Sequence, residues 1–119
     1  MADHRRSLGV AGEDAVAAWY SNAGYALLDR NWRCREGELD LVLARGRAVV
    51  FCEVKTRRST RFGEPVEAVV ATKARRLRRL AALWLAASEL HPAAVRFDVV
   101  SVLPQRAGAA RVEHLRGAF

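Results

Sequence analysis

The stretch GELDLVLARGRAVVFCEVKTRR, residues 37–58, constrains the fold more than any other part of the chain. It reads as two apolar strands joined by a tight turn at Gly46-Arg47, and glycine in first place suits a type II′ turn. With a two-residue loop, opposed residues have numbers that sum to 93, and a four-residue loop gives the same sum. Leu39, Leu41 and Leu43 then face Val54, Cys52 and Val50, and a slip of one residue would mix charge into that apolar set. The same arithmetic sets Asp40 opposite Glu53 and Glu38 opposite Lys55.

Carboxylates opposed across a strand pair have Cα atoms roughly 4.5–5.5 Å apart and destabilise the sheet. A shared proton, a neighbouring Arg or Lys, or a divalent cation would relieve them. Mg²⁺ takes one or two protein carboxylates and completes its octahedron with water and phosphate oxygens. Lys55, two residues beyond Glu53, shares its strand face and is suited to orienting an attacking water or stabilising charge on a phosphate. The competing structural reading is an ion-pair cluster of Glu38, Asp40, Glu53 and Lys55 at a sheet end.

The rest of the chain supplies partners for this hairpin. Residues 5–23 read as a helix with Leu8, Ala15, Val16, Trp19 and Tyr20 on one side and Gly24 as its stop. YALLDRNWR reads as a strand, and TRRSTRFGEPVEAV as a loop leading into a short helical turn. Thr72 is expected to cap a second helix running to about Ser88, ended by His91-Pro92. VRFDVVSVL reads as a strand and RVEHLRG, at about 110–116, as an edge strand. The order α-β-β-β-α-β-β predicts a single α/β domain over 1–119, core about 5–103, with a central mixed five-stranded sheet flanked by helices.

On the second helix Leu77, Leu80, Ala81 and Trp84 share one side and Arg75, Arg76, Arg78 and Arg79 the other. Four arginines in five residues without an intervening acid suit a phosphate backbone as well as they suit a solvated face. The formal net charge of +7 points the same way, toward a polyanion: nucleic acid first, an anionic membrane surface second. The longest apolar run, LAALWLAA, is far too short to span a bilayer, and no signal-peptide segment is apparent, so a cytoplasmic protein without a membrane partner is expected. Cys52 should be a buried thiol, and Trp19 and Trp84 core residues. Trp32, among Arg30, Arg33 and Arg35, is the aromatic retained as a base-stacking candidate. His4, His91 and His114 have no spacing suited to a shared metal site.

An Asp followed after a hairpin by Glu-x-Lys resembles the core of the PD-(D/E)XK nucleases, the restriction-endonuclease-like superfamily. The longer blocks GEDAVAAWY, RNWR, GELDLV, VFCEVKTRR, FGEPVEAV and RFDVVSV, in that order from about residue 12 to 102, resemble the YraN-like family of small bacterial proteins grouped with those folds. The resemblance implies a sheet similar to that of Holliday-junction resolvases and restriction enzymes. It implies Asp40 and Glu53 as metal ligands, Lys55 as the catalytic lysine, and Glu13 as the further acid that such sites take from the first helix. Leu39 stands where the superfamily has proline before the Asp. Resolvase-like folds often act as dimers, so a homodimer is among the expectations, though no stretch identifies an interface.

The expectation is therefore a Mg²⁺- or Mn²⁺-dependent endonuclease acting on DNA, with branched and otherwise non-B-form DNA among its candidate substrates. Its catalytic and metal-binding set is Glu13, Asp40, Glu53 and Lys55, with Arg57, Arg58, Arg61, Lys73, Arg75, Arg76, Arg78, Arg79 and Trp32 holding nucleic acid. The alternative is a non-catalytic nucleic-acid-binding module working with DNA-processing partners in repair, recombination or uptake. A structural partner that touches no nucleic acid fits the acidic cluster and basic helix least well.

Overall fold

The computed structural model describes the backbone of residues 4–56, 66–103, 105–108 and 111–119, and the side chains of these apart from 4–9 and 66–73. Strands β2 (Gly37–Arg45) and β3 (Ala48–Thr56) make the expected hairpin. Their register runs from Arg45–Ala48 to Leu41–Cys52, every pair summing to 93. Gly46 has φ 59 while Arg47 stays out of the left-handed region, the signature of a type II′ turn.

Around this hairpin lie α1 (His4–Asn22), β1 (Ala26–Cys34), α2 (Val66–Ala87), β4 (Ala94–Leu103) and β5 (Arg111–Leu115). The five strands form one sheet in chain order, antiparallel except for the parallel β3–β4 pair that α2 connects. The α/β class, element order and mixed sheet are those the sequence predicts.

Each helix covers one face of the sheet. Val16 and Tyr20 of α1 pack with Leu41, Leu43, Val50, Cys52, Val100 and Val102. Leu77, Leu80, Ala81 and Trp84 of α2 pack with Leu39, Val42, Val49 and Phe51. Burial on both faces is why β2 and β3 carry near-continuous apolar runs, since either parity of side chain meets a core. Each large apolar side chain so buried contributes about 1.5–3 kcal/mol. At its C-terminus α1 closes in a Schellman motif: Gly24 adopts φ 89, and Tyr25 N–H donates to the Tyr20 carbonyl at 3.0 Å.

Three expectations need correction. α2 begins at Val66, so Thr72 lies inside the helix rather than capping it. No glycine or proline interrupts 66–87, and a run rich in Ala, Leu and Arg propagates through a single threonine. Trp19 is 48% exposed, set edge-on to His114, whereas Trp84 is in the core as expected. Leu39 leaves the face of Leu41 and Leu43 and is buried on the α2 side. The cause of that crossing also shapes the candidate site.

Candidate metal and nucleic-acid site

The phase of the strands changes at Asp40. Pairing of β1 with β2 passes from Arg30–Leu41 to Trp32–Leu39, which brings Asn31 opposite Asp40, and Asn31 adopts φ 55. Asparagine tolerates that left-handed conformation better than most residues. The residues on either side of it turn to opposite faces. Arg30 reaches α1, and Trp32 packs into the α2-side core. On β2, Leu41 and Leu39 diverge in the same way.

Asp40 is thereby released from the regular ladder on both sides. The β2–β3 register stops at Leu41–Cys52, so the expected pairs Asp40–Glu53 and Glu38–Lys55 are not ladder pairs. Val54 N–H, two residues past the last β3 residue paired with β2, donates to Oδ2 of Asp40 at 2.8 Å. The side chain fills the wedge where the strands part. Glu38 turns to β1, where it is ion-paired with Arg33 at 3.3 Å.

The electrostatics at this wedge are adverse to an ionised Asp40. Burial pushes its carboxyl up, Glu53 pushes it further, and Glu13 and Glu38 add to this against the single Val54 N–H, so that it titrates at about 7. Glu53 is itself 9% exposed. Lys55 is half-buried and lies beside Ser101 in the parallel β3–β4 register. Glu13 accepts a hydrogen bond from Arg30 Nε at 3.2 Å, and the same guanidinium donates to Asp14 at 2.6 Å and to the Val10 carbonyl.

The fold thus brings Glu13, Asp40 and Glu53 into one electrostatic neighbourhood, at the C-terminal end of β3. Among the described residues no three His, Cys, Asp or Glu side chains enclose a metal ion by themselves. The donor set fits a hard cation with few protein ligands. The mutually repelling carboxylates of half-buried Asp40 and buried Glu53 would hold Mg²⁺ or Mn²⁺, while Glu13 is engaged by Arg30.

Helix α1 is seated at this end of the sheet by Gly12. A Cβ built there would overlap Thr56 Oγ1, next to Lys55, so the requirement is for space. Gly12→Ala is expected to cost about 1–3 kcal/mol by overpacking. Urea denaturation checks this, and Thr56→Ala in the same chain should recover most of the loss. Equal stability of Gly12→Ala and wild type would mean that α1 is not held at this contact.

Of the residues expected to hold nucleic acid, Arg75, Arg76, Arg78 and Arg79 form the exposed side of α2, opposite its buried stripe. Arg79 also bonds Glu36 at 3.0 Å, and Arg78 lies 5.4 Å from the Phe119 ring centroid. Trp32 is half-buried and packs against the α2-side core. Arg57, Arg58 and Arg61, and the side chain of Lys73, lie outside the described residues. No described helix is long and apolar enough to cross a membrane.

One polar group escaped the sequence reading. Asp98, fully buried on β4, accepts five hydrogen bonds: from Tyr20 Oη at 2.7 Å, His114 Nε2 at 2.8 Å, Arg96 Nε and Nη2 at 2.8 and 2.9 Å, and Gly117 N at 2.9 Å. Burial alone would raise its pKa, but the bonds from His114, Arg96, Gly117 and Tyr20 outweigh it and hold the carboxylate well below its usual range. Burial drives the Tyr20 phenol far up, with Cys52 and Asp98 adding to the effect. The signal available in the sequence was a lone Asp within an otherwise apolar strand, RFDVVSV.

This sheet, with Asp40 and Glu53 where its central strands part and a basic helix on one face, defines a small α/β protein with an acidic site beside positive surface. The model of the uncharacterised protein family UPF0102 matches residues 12–102, and the chain belongs to that family. It is 60% identical to a UPF0102 protein of Frankia alni over 113 residues, covering 95% of this chain and 94% of the relative. A UPF0102 protein of Mycolicibacterium vanbaalenii is 50% identical over 115 residues, covering 97% and 95%. One of Rhodococcus opacus is 47% identical over 116 residues, covering 98% of each chain.

Proposed function

We propose that the protein is a divalent-metal-dependent nuclease that hydrolyses phosphodiester bonds in DNA, branched or otherwise non-B-form substrates included. The observation that carries the reading is the half-buried Asp40 carboxyl, held by Val54 N–H at 2.8 Å where β2 and β3 part and pushed up to about 7 by desolvation and by Glu53. A fold with no use for that repulsion would do better with neutral side chains there. When bound, Mg²⁺ or Mn²⁺ supplies Lewis-acid stabilisation of charge on the phosphate and the departing oxygen. Asp40 and Glu53 hold it, and Arg30 engages Glu13. Lys55 orients the attacking water, and Arg75, Arg76, Arg78 and Arg79 hold the phosphate backbone.

A second reading is favoured by one contact. Arg30 neutralises Glu13 without a metal, as suits a binding module that keeps the fold and cuts nothing by itself. The deciding experiment offers labelled linear duplex, single strand, flap and four-way junction DNA with Mg²⁺, Mn²⁺ or EDTA to wild type, Asp40→Asn and Lys55→Ala. Metal-dependent cutting lost in both variants is the expected result. Equal binding by all three proteins with no cutting would replace the nuclease by the binding module.

The α2 face makes a separate prediction. Arg75→Ala with Arg76→Ala should weaken duplex binding about tenfold irrespective of sequence and reduce the salt slope by about 2. Anisotropy across a KCl series measures both, and an unchanged slope would remove this face from the interface.

A further inference from the structure

A second cluster of arginines lies on the other side of the sheet, where no role has been assigned. Arg45 ends β2, Arg96 lies near the start of β4, and Arg116 follows β5. Arg45 and Arg96 converge on Tyr25, just beyond the C-terminus of α1, and Arg116 is tethered nearby by its neighbour Gly117, whose N–H donates at 2.9 Å to the Asp98 carboxylate that Arg96 grips. Arg96 Nη2 donates to Tyr25 Oη at 2.9 Å, with its guanidinium carbon 5.5 Å from the ring centroid. Arg45 lies 5.6 Å from the same centroid, and Arg116 is near enough to act on the phenol by its charge.

Local compensation does not account for this charge. The Arg96 guanidinium is balanced by Asp98, which it grips through two nitrogens. Arg45 and Arg116 are exposed, and neither is ion-paired with a described carboxylate. The C-terminus of α1 offers about half a negative charge, against two guanidiniums. More than one unit of positive charge therefore remains around a half-exposed hydroxyl.

We infer that Arg45, Arg116 and the Tyr25 hydroxyl form a second phosphate-binding surface that takes the sugar-phosphate backbone of nucleic acid. Arg45 is five strand residues from Asp40, about 17 Å at the usual rise, so this surface is distinct from the acidic site. It is also separate from the arginines of α2, which covers the opposite face of the sheet. Arg96, tied to buried Asp98, is the fixed post against which the two exposed guanidiniums and the phenol are arranged. The inference rests on the nucleic-acid part of the reading above and needs no cleavage.

Tyr25 is also a reporter. Its burial raises its pKa, but the hydrogen bond and charge of Arg96, with Arg45 and Arg116, outweigh this and bring it below the ordinary value. Tyr20, the other tyrosine and 5.1 Å away ring to ring, is driven far up, so the first tyrosine to ionise is Tyr25. A bound phosphodiester would offset the arginines and move that ionisation upward.

The test uses the full chain in EDTA and a labelled 20-bp duplex (a probe length chosen at roughly two helical turns). Anisotropy across a KCl series compares wild type with Arg45→Ala/Arg116→Ala, and ¹³C-tyrosine NMR follows Tyr25 with and without saturating duplex, assigned by Tyr25→Phe. Expected are about tenfold weaker binding, a salt slope lower by about 2, and an upward shift of the Tyr25 titration on duplex addition. Thermal melting of the double variant, whose two positions are exposed, should match wild type. Retained affinity and slope, or a Tyr25 titration indifferent to duplex, would remove this surface alone. A shift caused equally by inorganic phosphate, with duplex affinity unchanged in the variant, would make it a small-anion site and overturn the inference. No duplex binding by wild type would remove both this surface and the reading it rests on.

Discussion

Asp40→Asn is expected to lower metal-dependent cleavage by about a thousandfold or more and, in the same protein, to raise stability at pH 8 in EDTA. On the nuclease reading proposed above, the first effect follows from removing a charged ligand from a cation whose electrostatic contribution is worth several kcal/mol, at tenfold in rate per 1.36 kcal/mol. The second follows from linkage. Asp40 titrates at about 7 in the folded protein, because of burial and Glu53, against the usual value of 3.8. Between those values the native state keeps a proton that the unfolded chain has released. The contribution of this group to stability is therefore most favourable below about pH 4, falls as pH rises to 7, and is flat above. The penalty at pH 8 is on the order of 4 kcal/mol before solvent screening and relaxation reduce it. Asparagine removes the charge and keeps an oxygen for Val54 N–H, so a gain of about 1–3 kcal/mol should appear in urea titrations. Mn²⁺ should stabilise wild type and not the variant. Below pH 7, apparent metal affinity should fall about tenfold per pH unit as protons compete for the carboxylate. A variant less stable than wild type at pH 8 would show that Asp40 is a structural acid.

Asp98→Asn should behave in the opposite sense. Removing one partner of a buried, fully hydrogen-bonded ion pair costs about 3–5 kcal/mol, because Arg96 is left without its counter-charge and the two hydrogen bonds it donates are weakened. The folded-state pKa of Asp98 is depressed, so its stabilisation is complete above the unfolded value near 4 and is lost as pH falls toward the folded one. Wild type should thus lose stability from pH 4 downward, and the variant should lose much less over that interval. Tyr20→Phe, which deletes a single donor to the same carboxylate, should cost about 1–2 kcal/mol. Denaturant midpoints at pH 7 and pH 3 decide the matter, and an Asp98→Asn protein as stable as wild type would mean that the cluster does not hold β5 and α1 to the sheet.

The two aspartates show how far a linear reading reaches. Asp40 was legible because it interrupts an apolar strand next to a glycine turn, and the turn arithmetic carried it to the neighbourhood of Glu53. The arithmetic assumed an unbroken ladder, whereas the chain breaks the ladder at Asp40 by placing Asn31 in the left-handed region across from it. Nothing local to Asn31 announces that conformation. Asp98 interrupts an apolar strand equally, yet its partners lie 78 residues away at Tyr20 and 16 away at His114. No local period links those positions, and His114 looked idle for the same reason. Trp19 was misplaced because a helix wheel gives the apolar stripe without saying how far a neighbouring strand extends to cover it.

Local chemistry sufficed wherever a choice depends on neighbours in the chain. Glycine before arginine selects the type II′ turn, the uninterrupted Ala-Leu-Arg run makes α2, and its 3.6-residue period separates the buried stripe from Arg75, Arg76, Arg78 and Arg79. Asp40 and Glu53 also stand out in the sequence, because carboxylates within apolar strands demand an explanation wherever they point, whereas Glu13 lies on a helix and does not. Tertiary structure alone decided which charges are compensated. Arg96 and His114 hold one buried aspartate ionised, while burial and Glu53 push the other toward its protonated form. The physical reason is that a charge's free energy depends on the dielectric and the charges within a few ångströms, and those neighbours are assembled only when distant segments pack.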